Sequence, residues 1–215
     1  MSTFYEKEHL CSLCGQKSMQ QEISSTSQFG TMDLDMRPPE MIRFTMWCWV
    51  QECPHCGYVA RRLEDPPTVS REWLREEPLV NCDGIRFNSE LAILFYKLYL
   101  IYVHNNDCNK AFSAAHEAAW ACDDNDEKRN AILCRKKALI ELDKILAEEF
   151  NEDLSVVRAD LLRRSRQFDV LLKEYSRKTY RKELLNQIIA FQIDLAKKKD
   201  AKCYKVSDIV KTGQE

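Results

Sequence analysis

Two short segments carry the chemistry of this chain: Cys11-Ser-Leu-Cys14-Gly15 and Cys53-Pro-His-Cys56-Gly57. Two residues between cysteines let both sulfurs curl round one metal ion. The glycine that follows each pair can take a positive φ without Cβ strain, so backbone N–H groups turn toward the thiolates. Two such half-sites supply four thiolates, Cys11, Cys14, Cys53 and Cys56, which suits a closed tetrahedral Zn²⁺ site. A four-thiolate site leaves no open position for water or substrate, so it points to structure rather than catalysis. Iron is the rival metal, because the same spacing is also similar to rubredoxin and all-sulfur ligation does not separate Zn from Fe. His9 and His55 sit beside the ligands, but four correctly spaced thiolates are already present.

Other catalytic constellations are missing from the sequence. It contains no Gly-x-Ser-x-Gly elbow, no phosphate-binding glycine-rich loop and no His-Glu-x-x-His. Neither His104 nor His116 has a glutamate three residues before it, which argues against a diiron centre of the rubrerythrin kind. Cys108 near His104 and His116 reads as a packing cysteine at a helix start rather than a thiol–imidazole pair. The chain is therefore expected to be non-enzymatic.

The elements that must position the knuckles follow from composition. The chain has 215 residues, 45% hydrophobic and 31% charged, in the range of globular proteins. The start, Met1 to His9, lacks the basic and apolar parts of a signal peptide, and Leu91–Val103 is too short an apolar run to span a bilayer. The expectation is a cytoplasmic protein that does not enter membranes, with its ten cysteines reduced. All six prolines lie in the first 78 residues, and three of the five glycines precede residue 66. Loss of these breakers marks two modules that meet at Pro66-Pro67. Residues 1–66 read as a small β zinc ribbon. Residues 67–215 read as an α-helical hairpin domain resembling tetratricopeptide repeats, so the fold class is mainly α.

Within the ribbon, Arg43–Gln51 alternates as a strand, with Trp47 and Trp49 on one face and Met46, Cys48 and Val50 on the other. Tyr58-Val-Ala would be its partner strand. In the second module, Ser89 caps a buried helix to about His104, and Asp107 caps the next to about Cys122. Ala111, Ala115, Ala118 and Ala119 give that helix a face for close approach. Helices then run from Asp126 to about Glu149, Asp153 to Arg166 and Phe168 to Arg177. Tyr180, Leu184, Ile188, Phe191 and Leu195 form the apolar stripe of the last long helix.

Charge is unevenly spread: −3 over residues 1–66, −6 over 67–157 and +7 over 158–215. Two readings of Asp33, Asp35, Arg37 and Glu40 stand open: a recognition surface beside the metal, or a loop pinned internally by arginine–carboxylate bonds. Arg163, Arg164 and Arg166 join them as a candidate surface, and the expectation is a scaffold or adaptor that binds a protein partner through its helical module, with a rubredoxin-like iron protein in electron transfer as the alternative. Zinc ribbons often bind nucleic acid, but the ribbon here is acidic, so that reading stands behind a protein partner.

Several segments together resemble a known family: Cys11-x-x-Cys14-Gly15, Asp33-Leu-Asp-Met-Arg-Pro-Pro-Glu40, Trp49-Val-Gln-Glu-Cys-Pro-His-Cys-Gly-Tyr58, Asp160-Leu-Leu-Arg-Arg-Ser-Arg-Gln-Phe-Asp169 and Glu183–Ile193. The family is one of bacterial cytoplasmic proteins defined as a domain of unknown function, pairing Cys-x-x-Cys knuckles with a tetratricopeptide-like helical region. The resemblance covers nearly the whole chain. Two departures stand out: the first knuckle lacks the proline common after its first cysteine, and Ser165 stands where a turn glycine is usual. The resemblance implies an architecture and no activity.

Overall fold

A computed structural model describes residues 2–212. The chain is mainly helical, with small antiparallel β elements ahead of the helices, as the composition predicts. Both knuckles are the turns of hairpins. β1 (Thr3–Leu10) pairs antiparallel with β2 (Lys17–Ser25), from Leu10 opposite Lys17 to Phe4 opposite Ile23. β3 (Gln51–Glu52) pairs with β4 (Val59–Ala60) around the second knuckle.

The strand expected over Arg43–Gln51 is not formed. Arg43–Cys48 winds as a 3-10 helix, and only Gln51–Glu52 is extended. The cause is local bonding plus tertiary burial. Thr45 N–H and Oγ1 both donate to the Ile42 carbonyl, at 2.9 and 2.7 Å, and Trp49 Nε1 donates to Thr45 Oγ1 at 3.0 Å. Thr45 and Met46 are buried side by side while Trp47 faces out, a burial order that a strand cannot make. Aromatic and β-branched content favoured a strand, and packing overrode it.

The helices follow the predicted order. α1 (Glu77–Val80) is a single turn. Then come α2 (Glu90–His104), α3 (Cys108–Asp124), α4 (Lys128–Glu148), α5 (Glu152–Arg164), α6 (Phe168–Tyr175) and α7 (Glu183–Lys197). α8 (Val206–Thr212) was not expected. Ser89 and Asp107 are N-caps as read, accepting from the N–H groups of Ala92 and Lys110 at 3.2 and 3.0 Å. The alanine face of α3 is fully buried, so α2 and α4 can pack closely on it. Of the stripe expected for the last helix, Tyr180, Ile188 and Leu195 are buried and Phe191 packs against the core, with Tyr180 lying before α7 begins. Leu184 is 42% exposed, and Leu185, Ile189 and the polar Gln192 are buried as well. Gln192 holds its place through bonds to Arg163 and Asp160, which an apolar pattern cannot reveal.

Four helix ends share one device. After α2, α3, α5 and α7 a residue takes a left-handed conformation: Asn106, Asp126, Arg166 and Lys199, with φ of 55, 55, 63 and 54°. The N–H of the next residue returns to the carbonyl five positions back, for example Gln167 to Leu162 at 2.8 Å. This is the Schellman closure of a helix end. Ser165, expected at the glycine-like position, has φ −88°, and Arg166 takes the left-handed role one residue later.

Buried apolar residues on both sides of Pro66-Pro67 belong to one cluster, from Cys11 and Leu34 to Ile209. Leu63 and Val59 join Phe95 and Leu98 within it. No described helix is long and apolar enough to cross a membrane.

Candidate metal centre

The two hairpin turns bring Cys11, Cys14, Cys53 and Cys56 together, with all four sulfurs within 4.8 Å of one another. Cys11 Sγ lies 3.8 Å from Cys56 Sγ, and Cys14 Sγ lies 3.6 Å from Cys53 Sγ. A tetrahedron with metal–sulfur bonds of about 2.3 Å has S···S edges of about 3.8 Å. These two edges match that geometry, and the donor set fits a tetrahedral metal ion. It is the only group of this kind among the described residues.

The two knuckles are near copies. Gly15 N–H donates to the Cys11 carbonyl at 2.8 Å, and Gly57 N–H to the Cys53 carbonyl at 2.9 Å. The glycines have φ of 72 and 73°, the left-handed turn that the sequence required of them. Cys11 N–H returns to Gln16, and Cys53 N–H to Tyr58, closing each loop at 2.9 and 2.8 Å. Backbone N–H groups of Leu13 and Cys14 point at the Cys11 sulfur, that of Gln16 at Cys14, and that of Tyr58 at Cys56. These donors stabilise thiolates that a metal would bind. The first knuckle is tied to the segment after β4 by Ser12 N–H to the Leu63 carbonyl, and Leu63 N–H in turn donates to Gln51 Oε1 of β3, both at 2.9 Å.

Cys11 and Cys53 are buried; Cys14 and Cys56 are half-buried. Burial pushes the Cys11 and Cys56 thiols up. Burial opposes ionisation of Cys14 too, but the Gln16 N–H and the neighbouring thiols outweigh it and bring Cys14 down to about 7. Four thiolates in contact require a cation between them. Arg71 and Arg75 line a cleft of about 390 Å³ on the Cys14–Cys56 side, where they face the net negative charge that a divalent metal with four thiolates would carry.

Neither neighbouring histidine joins the sulfur group. His55 is exposed, 3.1 Å from the Lys17 carbonyl. His9 is buried and held between Glu22 and Glu64, at 2.8 and 3.5 Å.

The remaining candidate residues do not form a surface. Asp33, Asp35, Arg37, Arg163 and Arg164 are buried, while Glu40 and Arg166 are exposed. Of the two readings of the loop, the internally pinned one describes the structure. Asp35 accepts from Arg164 and from Trp120 Nε1, the latter at 2.9 Å, and lies 3.4 Å from His116 Nε2. Arg37 pairs with Asp124, and Arg43 with Asp33 at 2.9 Å. Arg163 bonds Asp160, Gln192 and the carbonyls of Asp200 and Lys202. Burial opposes the charge on Asp35, but Arg164 and then His116 hold its carboxyl well below the usual range. Sequence reasoning missed the helix-side partners Asp123, Asp124, Arg135, His116 and Trp120. No family model, curated protein or solved structure matches this chain.

Proposed function

We propose that the chain is a non-enzymatic zinc-binding adaptor, in which zinc fixes the ribbon and the protein as a whole carries a protein partner. The closed four-sulfur tetrahedron carries the reading. It offers no position for water or substrate, which is the arrangement of a structural zinc. A structural zinc contributes about 10–16 kcal/mol of apparent binding energy. Hairpins as short as β3–β4 need such a contribution.

The ribbon's outer side supports a protein partner. Phe44 and Trp47 are 64% and 44% exposed, and the Phe4 ring lies 4.8 Å from that of Trp47. Large rings gathered on a rigid, exposed surface are the usual anchors of protein interfaces. The stacked helix pairs that follow support a tetratricopeptide-like reading of the body. Ten free cysteines suit a reducing cytoplasm.

The test is affinity capture from the source cell with the metal intact, comparing wild type with the Phe44→Ser/Trp47→Ser pair. The expected result is one stoichiometric protein lost in the variant and retained by the wild type. Recovery of RNA or DNA alone, with affinity falling steeply as salt rises, would reject the adaptor in favour of nucleic-acid binding.

A further inference from the structure

A basin of about 620 Å³ opens between α4, the turn after α5 and the segment after α7. Seven of its lining side chains are cationic and two are acidic. Its floor is already neutralised. Arg135 and Arg164 both bond Asp123, and Arg164 also bonds Asp35. Its rim is not. Arg166, Lys199 and Lys202 are exposed, and none forms an ion pair among the described residues. Asp200 stands among them with one negative charge, accepting from Lys202 N–H and Tyr204 Oη at 2.7 and 2.9 Å and interacting electrostatically with Lys202, so the three rim cations are only partly offset.

Helix dipoles explain part of this. α5 and α7 end here, and cations in a last helical turn offset the negative helix end. That accounts for Arg164 and for Lys198, which also pairs with Asp194. Lys128, at the start of α4, pairs with Asp126 at 3.1 Å, but helix dipoles do not account for Lys202, beyond the end of α7. Arg166 and Lys199 moreover occupy left-handed positions with φ of 63 and 54°, where glycine or asparagine is the easy choice. Two long cations stand there instead, both at the rim of one basin.

We propose that this basin binds a compact anion bearing two or more adjacent phosphate groups, contacted by Arg166, Lys199 and Lys202. The charges converge on one basin rather than along a groove, which fits clustered phosphates better than carboxylates strung along a peptide. No aromatic ring lines the basin, so nothing there would stack a nucleobase. Lysine and arginine together suit phosphate oxygens, as point charge and fork. The site lies in the helical body and does not rest on the metal or on the adaptor reading.

Isothermal titration of the full metal-bound chain with inorganic pyrophosphate at low salt tests it, with zinc content checked afterwards. Saturable one-to-one binding is expected, tighter than that of inorganic phosphate. Arg166→Asn with Lys199→Asn should weaken it about tenfold or more at an unchanged melting temperature, because asparagine accepts the left-handed conformation. Lys202→Gln, whose backbone alone holds Arg163, is the second variant should the pair fail to fold, and it should weaken binding in the same direction. Lys173→Gln, exposed on α6, should leave binding unchanged. Absence of saturation at millimolar pyrophosphate, or equal binding by the variants, would overturn the proposal. Tighter binding of a short polyglutamate peptide would overturn it too, and would assign the basin to an acidic protein segment.

Discussion

Asp35, on the loop between the two knuckles, and Arg164, in the last turn of α5, form a buried ion pair across 129 positions of sequence. Trp120 and His116 of α3 approach the same carboxylate. The ribbon's loop is thus anchored by charge inside the helical body. Removing one partner of a buried pair strands the other, which costs about 3–5 kcal/mol. Asp35→Asn should lower unfolding stability by that order in denaturant titration. A change below about 0.5 kcal/mol, the range of surface substitutions, would show that the pair is not buried in solution.

The same carboxylate sets a pH dependence. Its folded-state pKa is depressed, chiefly because Arg164 outweighs the cost of burial. The stability it contributes is therefore fully present above the unfolded value of about 3.9 and is lost as pH falls through the folded value. The stability gap between wild type and Asp35→Asn should be constant near neutral pH and shrink only in strong acid. A gap that closes between about pH 7 and 5 would contradict the assignment.

Charge reversal separates the three arginines of the α5 end. Arg163→Glu and Arg164→Glu should cost several kcal/mol each, on the order of 3–5, since both guanidinium groups are buried among carboxylates and carbonyls. Arg166→Glu should leave the melting temperature nearly unchanged, because its side chain is exposed. Equal thermal shifts in all three would contradict the burial pattern.

Loss of the metal should act locally. Cys53→Ser with Cys56→Ser removes half the sulfur group, yet α2–α7 pack on one another without it. Far-ultraviolet circular dichroism should keep most of its helical signal, while amide exchange rises at Gly15, Gly57 and along β1–β2. Collapse of the helical signal would mean that the ribbon and helices fold only together.

The four-cysteine group was legible in the sequence, because Cys-x-x-Cys-Gly states both the candidate donors and the turn that aims them. Helices capped by Ser89 and Asp107 were legible for the same local reason. The 3-10 helix at Arg43–Cys48 was not, because it depends on Thr45 and Met46 being buried together against the body. Nor was the Asp35 network. Its partners Asp123, Arg135 and Arg164 are scattered over three helices, and each alone looks like an ordinary surface charge. Local signals predict local structure; buried polar contacts distant in sequence leave no such pattern.

The central claim is that Cys11, Cys14, Cys53 and Cys56 hold one structural zinc ion. Native mass spectrometry with elemental analysis of the purified chain tests it most directly. The account predicts one zinc per chain, lost together with tetrahedral thiolate ligation when any of the four cysteines becomes serine. Stoichiometric iron with visible charge-transfer bands, or a metal-free chain with these cysteines joined as disulfides under reducing conditions, would contradict it.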